Sequence, residues 1–216
     1  MRVCVLVSGS GSNLQALIDA RDEERIDIDI VRVISNRADA RGLERASRAG
    51  IPSSILEHQG FADRTEFDHA LAELIGASDP DLVVLAGFMR IIGPGVLDPF
   101  RGRMINLHPS LLPLYRGTNT YQRALDAGDQ EHGASIHFVT GELDGGPVIS
   151  QVRIPVLAGD DKDSLAARLA PIEHRLVVST VGFFSQHSVE CKNAEVVVDA
   201  RKLSRPLRLQ ADDSLS

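Results

Sequence analysis

Two cysteines in 216 residues, Cys4 and Cys191, exclude a disulfide framework and a four-thiolate metal centre. Cys4 lies inside an apolar run, the setting of a small buried hydrophobe. Long hydrophobic runs are missing too. The longest, Leu82 to Met89, is far short of the roughly 18 residues that suggest a membrane span. The amino terminus, MRVCVLVSGSGS, has too short an apolar part and no small-residue cleavage site, so it does not read as a signal peptide. A soluble, cytoplasmic protein is expected. Basic residues are outnumbered, 23 Lys and Arg against 30 Asp and Glu, for a net charge of −7. A nucleic-acid or anionic-membrane partner calls for a basic patch, so neither is expected. A small anionic ligand is still compatible, because a few backbone N–H groups suffice for it. The 18 glycines and 10 prolines are too few and too scattered for a fibrous or low-complexity chain. No Gly-x-Ser-x-Gly elbow occurs and neither cysteine has a reactive context, which argues against a covalent acyl-enzyme.

What is present alternates. VCVLVS (3–8) reads as a buried strand, followed by NLQALIDA as a helix. IDIVRVIS (28–35) is a second strand and ARGLERASRAG (40–50) a helix closed by glycine. IPSSIL stays extended, and TEFDHALAELIGA (65–77) is helical with Phe67, Leu71 and Leu74 on one face. DLVVLAG (81–87) is the most apolar strand, as expected for a central one. Shorter strands are expected near 104–107, 134–139 and 148–155, and a long helix from Asp163 to about Ser185. Strands separated by helices imply right-handed crossovers. The fold class is therefore α/β, a doubly wound, mostly parallel sheet with helices on both faces. EVVVDARKL predicts a small C-terminal β-hairpin. Residues 1–205 form one domain without internal repeats, and 206–216 a flexible tail. Ligands of such a sheet sit beyond the carboxyl ends of its strands.

Three segments at those ends carry candidate chemistry. Ser8-Gly9-Ser10-Gly11-Ser12-Asn13-Leu14 joins the first strand to its helix. It is no dinucleotide fingerprint, because Leu14 stands where the third glycine belongs, and no Walker loop, because Gly-Lys-Ser/Thr is missing. Phosphate binding at the helix N-terminus and plain capping by Ser12 or Asn13 are both open. Asn106 and His108, two apart in an extended segment, project to one side at a strand mouth. There an amide N–H can hold an oxyanion and an imidazole can exchange a proton, or both can merely tie the turn before Ser110. Asp144 lies in GELDGGPVI, where the glycines allow close approach to a ligand. A carboxylate beside an imidazole raises its pKa, but an Asp-Gly turn is equally consistent with the spacing. His132 and His137, five apart without an acidic pattern, read as structural, and no metal site is expected.

Together, VLVSGSGSNLQALIDA, ISNRADARGLERA, DLVVLAGFMRII, INLHPSLLP, EHGASIHFVTGELDGGPVISQ and Glu173-His174 resemble the folate-dependent phosphoribosylglycinamide formyltransferases of purine synthesis, in register from residue 1 to about 175. The resemblance implies the formyltransferase fold, with a ribonucleotide-binding N-terminal half and a folate-binding C-terminal half. It implies 10-formyltetrahydrofolate as co-substrate, no metal, and direct attack of the ribonucleotide amine on the formyl carbon through a tetrahedral intermediate. Asn106 would hold the oxyanion, His108 would act as general acid and proton shuttle, and Asp144 would raise the His108 pKa and order a relaying water. Gly11, Ser12 and Asn13 would hold the phosphate, and Ala170, Pro171, Ile172 and Glu173 the ribose region. Arg64, Met89, Arg90, Ile91, Ile92 and Asn106, with Thr140, Gly141, Glu142, Leu143 and Asp144, would line the folate site. A cis peptide is expected between Leu112 and Pro113. The partners are small molecules, and a homodimer is compatible with the resemblance. Hydrolysis of the folate is the runner-up, although relatives that hydrolyse it carry a further N-terminal domain. Transfer to a charged tRNA suits an acidic chain poorly. A non-catalytic sensor would have no need for Asn106, His108 and Asp144 together. In two places the chain departs from the family pattern. Thr118 and Tyr121 stand within the usual Gly-Leu-x-Thr-His, and Leu176-Val177-Val178 replaces the usual Leu-Tyr-Pro.

Overall fold

The computed structural model describes all 216 residues. Along the chain run β1 (Arg2–Val7), α1 (Ser12–Asp22), β2 (Asp29–Ser35), α2 (Arg41–Arg48), β3 (Ser53–Ile55), α3 (Arg64–Gly76) and β4 (Leu82–Leu85). Then follow α4 (Pro94–Leu97), β5 (Met104–His108), α5 (Thr120–Asp126), β6 (Glu131–Phe138), β7 (Val148–Pro155) and α6 (Lys162–Gln186). The last elements are β8 (Val189–Lys192), β9 (Glu195–Val198), β10 (Arg201–Lys202) and β11 (Leu207–Arg208). No helix is long and apolar enough to cross a membrane.

Eight strands form one sheet in the order β11-β7-β6-β5-β4-β1-β2-β3. Pairing is parallel from β3 across to β5, while β6 runs antiparallel to both β5 and β7. The doubly wound, mostly parallel sheet expected from the alternation is thus present. Central strands are buried on both faces, and strand periodicity divides their side chains between two cores. Val3, Val5 and Val7 of β1 join Leu14 and Leu17 of α1 and Leu169, Leu176 and Val177 of α6. Cys4 and Leu6 point the other way, to Phe67, Leu71 and Ile75 of α3. Helix starts follow the polar residues before them. Asp63 accepts hydrogen bonds from the N–H groups of Thr65 and Glu66, and Asp161 and Ser164 form a reciprocal capping box at the start of α6.

Two expectations at the carboxyl terminus change. The hairpin is real but larger, because β8, β9 and β10 make a three-stranded antiparallel sheet. The expected fray at 206–216 is replaced by order. β11 adds parallel to the outer edge of β7, Leu209 bridges to Leu215, and the Arg175 guanidinium pairs with Asp213. Leu209 and Leu215 supply the apolar contacts, and the exposed edge of β7 supplies the hydrogen-bonding partners.

Candidate active site

β1 and β4 are neighbours, with β2 and β3 on one side and β5 on the other. The sheet therefore changes its winding direction between them, and the loops after both strands open a crevice. The Ser8 N–H donates to the Gly87 carbonyl at 3.1 Å, and the Met89 N–H to Ser8 Oγ at 2.7 Å, which fastens the two loops together. Ser8 to Asn13, with Ala86, Gly87 and Met89, line a cavity of about 160 Å³.

Gly11 is the N-cap of α1 at φ 65°, and no side chain caps that helix. Capping by Ser12 or Asn13 is therefore not what the loop does. The first N–H groups of an eleven-residue helix are left facing the crevice, where the helix dipole favours an anion. The loop is held from behind by α2. The Gly42 N–H donates to the Gly9 carbonyl at 3.1 Å, and Arg45 Nε to the Ser10 carbonyl at 2.9 Å. A Cβ on Gly11 would stand 2.6 Å from Gly42 Cα, against unyielding backbone. Gly11→Ala, strained by both its φ and this contact, is expected to cost about 1–3 kcal/mol in urea unfolding.

At the mouth of β5, Asn106, His108 and Asp144 converge. Asp144 Oδ2 lies 3.4 Å from His108 Nδ1 and accepts from the Gly117 N–H at 2.9 Å. Asn106 Nδ2 donates to Asp144 Oδ1 at 3.3 Å. His108 Nε2 lies 3.0 Å from the Tyr115 carbonyl, which only an N–H can satisfy. The trio is thus a connected cluster and not three independent turn residues. Asp144 itself has φ 46°, a left-handed conformation aspartate tolerates. The neighbouring glycines are required by the fold itself. A Cβ on Gly146 would meet the Phe138 carbonyl at 1.8 Å, and one on Gly145 the Glu142 side chain.

The loop after β5 is set by a buried polar network. Ser135 Oγ donates to the Ser110 carbonyl at 2.6 Å and accepts from the Leu112 N–H at 3.1 Å. Gln151 Nε2 donates to the Leu112 carbonyl and to Ser135 Oγ, both at 2.9 Å. The Leu112–Pro113 peptide is cis. This network places the Tyr115 carbonyl against His108.

His137, expected to be only structural, belongs to the cluster. It stands directly across from Asn106 in the β5–β6 pairing. Its Nε2 lies 3.2 Å from Asn106 Nδ2 and 3.6 Å from Asp144 Oδ1, while Nδ1 bonds the Phe138 carbonyl at 2.8 Å. Nε2 thus stands between the Asn106 amide and the Asp144 carboxylate. Asn106 Nδ2 is engaged within the cluster, by Asp144 and His137.

Burial pushes the His108 pKa below the ordinary histidine value, outweighing the Tyr115 carbonyl and the Asp144 charge, which pull it up. Asp144 acts in the expected sense, raising the His108 pKa, but desolvation is larger. Burial alone would raise the Asp144 carboxyl. The contacts from His137, the Gly117 N–H and His108 outweigh it, so Asp144 is held below the usual carboxylate range.

The other expected residues fall into three groups. Arg64 Nη2 donates to the Ile91 carbonyl at 3.1 Å, and the Arg90 guanidinium lies 4.5 Å over the Phe67 ring. Met89 and Ile91 are exposed, whereas Ile92 is buried. On the second side, Leu143 is exposed, Glu142 pairs with Arg116, and Gly141 is exposed beside half-buried Thr140. Ala170 and Ile172 are half-buried on α6, Pro171 is exposed, and Glu173 accepts a hydrogen bond from Tyr121 Oη.

Comparison with known proteins gives the family. The formyl transferase family model matches residues 1–181. A phosphoribosylglycinamide formyltransferase of Escherichia coli K12 is 46% identical over 203 residues, covering 94% of this chain and 96% of that protein. The trifunctional purine biosynthetic protein adenosine-3 of Drosophila melanogaster is 48% identical over 175 residues, 80% of this chain and 13% of that longer protein. Among solved structures, the phosphoribosylglycinamide formyltransferase of Coxiella burnetii superposes with a TM-score of 0.89 at 44% identity, over 94% of this chain and 96% of the other. Sequence and backbone agree over more than nine-tenths of the chain, so the likeness reaches well past a shared architecture, and this chain belongs to the formyl transferase family.

Proposed function

We propose that this protein transfers the formyl group of 10-formyltetrahydrofolate to the amine of 5-phosphoribosylglycinamide, in the synthesis of the purine nucleotide IMP. The observation that carries the reading is the convergence of Asn106, His108 and Asp144 at the mouth of β5, two strands from a helix N-terminus with uncapped N–H groups. Relatives named for this reaction support the choice of substrate. The residues present suit both molecules. Gly11, Ser12 and Asn13 offer N–H groups to a phosphate. The exposed Met89, Ile91 and Leu143 offer apolar surface to a flat ring system, and Arg64 and Arg90 offer charge to an acidic tail.

In this reading the amine attacks the formyl carbon, forming a C–N bond and leaving the carbonyl oxygen negative. His108, neutral in the free protein because burial keeps its pKa low, accepts the proton of the attacking nitrogen. The imidazolium so formed stands beside Asp144, which stabilises it. It then protonates the folate nitrogen as the old C–N bond breaks, so no proton is lost or gained. His108 thus acts first as a base and then as the acid that the family resemblance implies. Asn106 turns one Nδ2 hydrogen from His137 or Asp144 to the oxyanion, worth about 3 kcal/mol by comparison with other oxyanion donors. Holding both substrates adds the advantage of proximity.

The test is turnover of 10-formyltetrahydrofolate by the purified protein with and without phosphoribosylglycinamide. The expected result is turnover only when the amine is present. Equal turnover without it would make the protein a hydrolase, and none in either case would remove the catalytic reading.

A further inference from the structure

We propose that Tyr121, the second residue of α5, is a specificity-determining residue that aims the Glu173 carboxylate at the vicinal hydroxyls of a ribosyl group. The inference rests on the placement of Glu173 in the ribose subsite and deepens it.

Tyr121 Oη donates to Glu173 Oε1 at 3.2 Å, and the carboxylate has no other hydrogen-bond partner and no paired cation in the protein. Oε2 is therefore without a protein donor, yet it is not among the fully enclosed unpartnered atoms, so it keeps an opening. A carboxylate fixed at one oxygen and open at the other has acceptor capacity to spare, and two adjacent O–H groups can fill it. A phosphate would be repelled there. The aim is rigid because the phenol ring is bracketed. It lies 5.0 Å from the His132 ring at 55°, and His132 is buried in β6.

The electrostatics agree. Burial raises the Glu173 pKa, and the Tyr121 hydrogen bond acts against it. Burial and the neighbouring Glu173 charge raise the Tyr121 pKa, so the phenol keeps its proton and remains a donor. Tyr121 stands where the family pattern carries histidine. In this reading the phenol supplies the hydrogen-bond donor that an imidazole N–H would supply from the same place.

The experiment compares KM and kcat for phosphoribosylglycinamide and for its 2′,3′-dideoxy analogue in the wild type, Tyr121→Phe, Tyr121→His and Glu173→Gln. Tyr121→Phe is expected to raise KM for the ribonucleotide about 3- to 10-fold, the loss of one hydrogen bond, with kcat within about twofold. KM for the dideoxy analogue is expected to stay put, so discrimination between the two falls. Tyr121→His, retaining a donor, is expected to keep most of the discrimination. A merely structural role would move both substrates alike, and that result would overturn the inference. Reduced discrimination in Glu173→Gln with wild-type discrimination in Tyr121→Phe would overturn the Tyr121 role alone. Unchanged discrimination in Glu173→Gln would remove Glu173 from the ribose subsite and the inference with it.

Discussion

His108→Ala is expected to lower kcat by about 100- to 10,000-fold while leaving the affinity for phosphoribosylglycinamide within about threefold. The size follows from its position: the imidazole touches Asp144 and the Tyr115 carbonyl, and no other base in the cluster is free to replace it. His137 is committed through Nδ1 to the Phe138 carbonyl and through Nε2 to Asn106. Ribonucleotide affinity survives because the N–H groups at the start of α1 lie in a different loop. Quenched-flow turnover and calorimetric binding separate the two effects. The pH dependence carries a second signature. The competent form in the free protein is neutral, so wild-type kcat/KM is lost as pH falls through the His108 pKa. Burial sets that limb below the ordinary histidine value. In His108→Ala the limb disappears. Activity lost instead as pH rises through the His108 pKa would mean that the imidazolium is the starting form, and would reverse the order of proton transfers.

Asp144→Asn is expected to lower kcat/KM by on the order of 10³-fold, in line with other imidazoles deprived of their carboxylate. Its charge raises the His108 pKa, so removing it drives that pKa lower still and shifts the acid limb of kcat/KM further down. The main loss falls on the intermediate, where the imidazolium no longer faces an anion. The shape of the side chain is preserved, and its remaining carbonyl can still accept from the Gly117 N–H. A pH-rate profile of the variant distinguishes two roles. A large drop in rate with the limb unmoved would show that Asp144 works only by orienting Asn106 through the 3.3 Å hydrogen bond.

Most of the sheet was legible because its strands are short apolar runs divided by helical periodicities, as at VCVLVS and TEFDHALAELIGA. Asn106 and His108 were legible because residues two apart in a strand share a face. His137 was not, because it enters the cluster through antiparallel pairing of β6 with β5, which sets it opposite Asn106. Long-range register of that kind leaves no local trace. One signal was available: Ser135 and His137 are also two apart, and Ser135 pairs with His108 in the same ladder. The net direction of the His108 pKa was likewise out of reach, since it depends on how much burial opposes Asp144. β11 escaped notice for a different reason. Two residues make no periodic pattern, and what orders them is the vacant edge of a distant strand.

That terminal strand has a bearing on catalysis at long range. β11 pairs with Ser150 and Gln151, and the Leu209 N–H donates to the Gln151 carbonyl at 3.3 Å. The side chain of the same Gln151 holds the Leu112 carbonyl, on the loop that delivers the Tyr115 carbonyl to His108. A nick by a carboxypeptidase that removed the last ten residues would strip the backing from Gln151 and bare a ribbon of β7 to sticky, intermolecular pairing. Affinity tags fused at this end, or trimming there for crystallisation, would act on the same lever, more than a hundred residues along the chain from the imidazole they disturb.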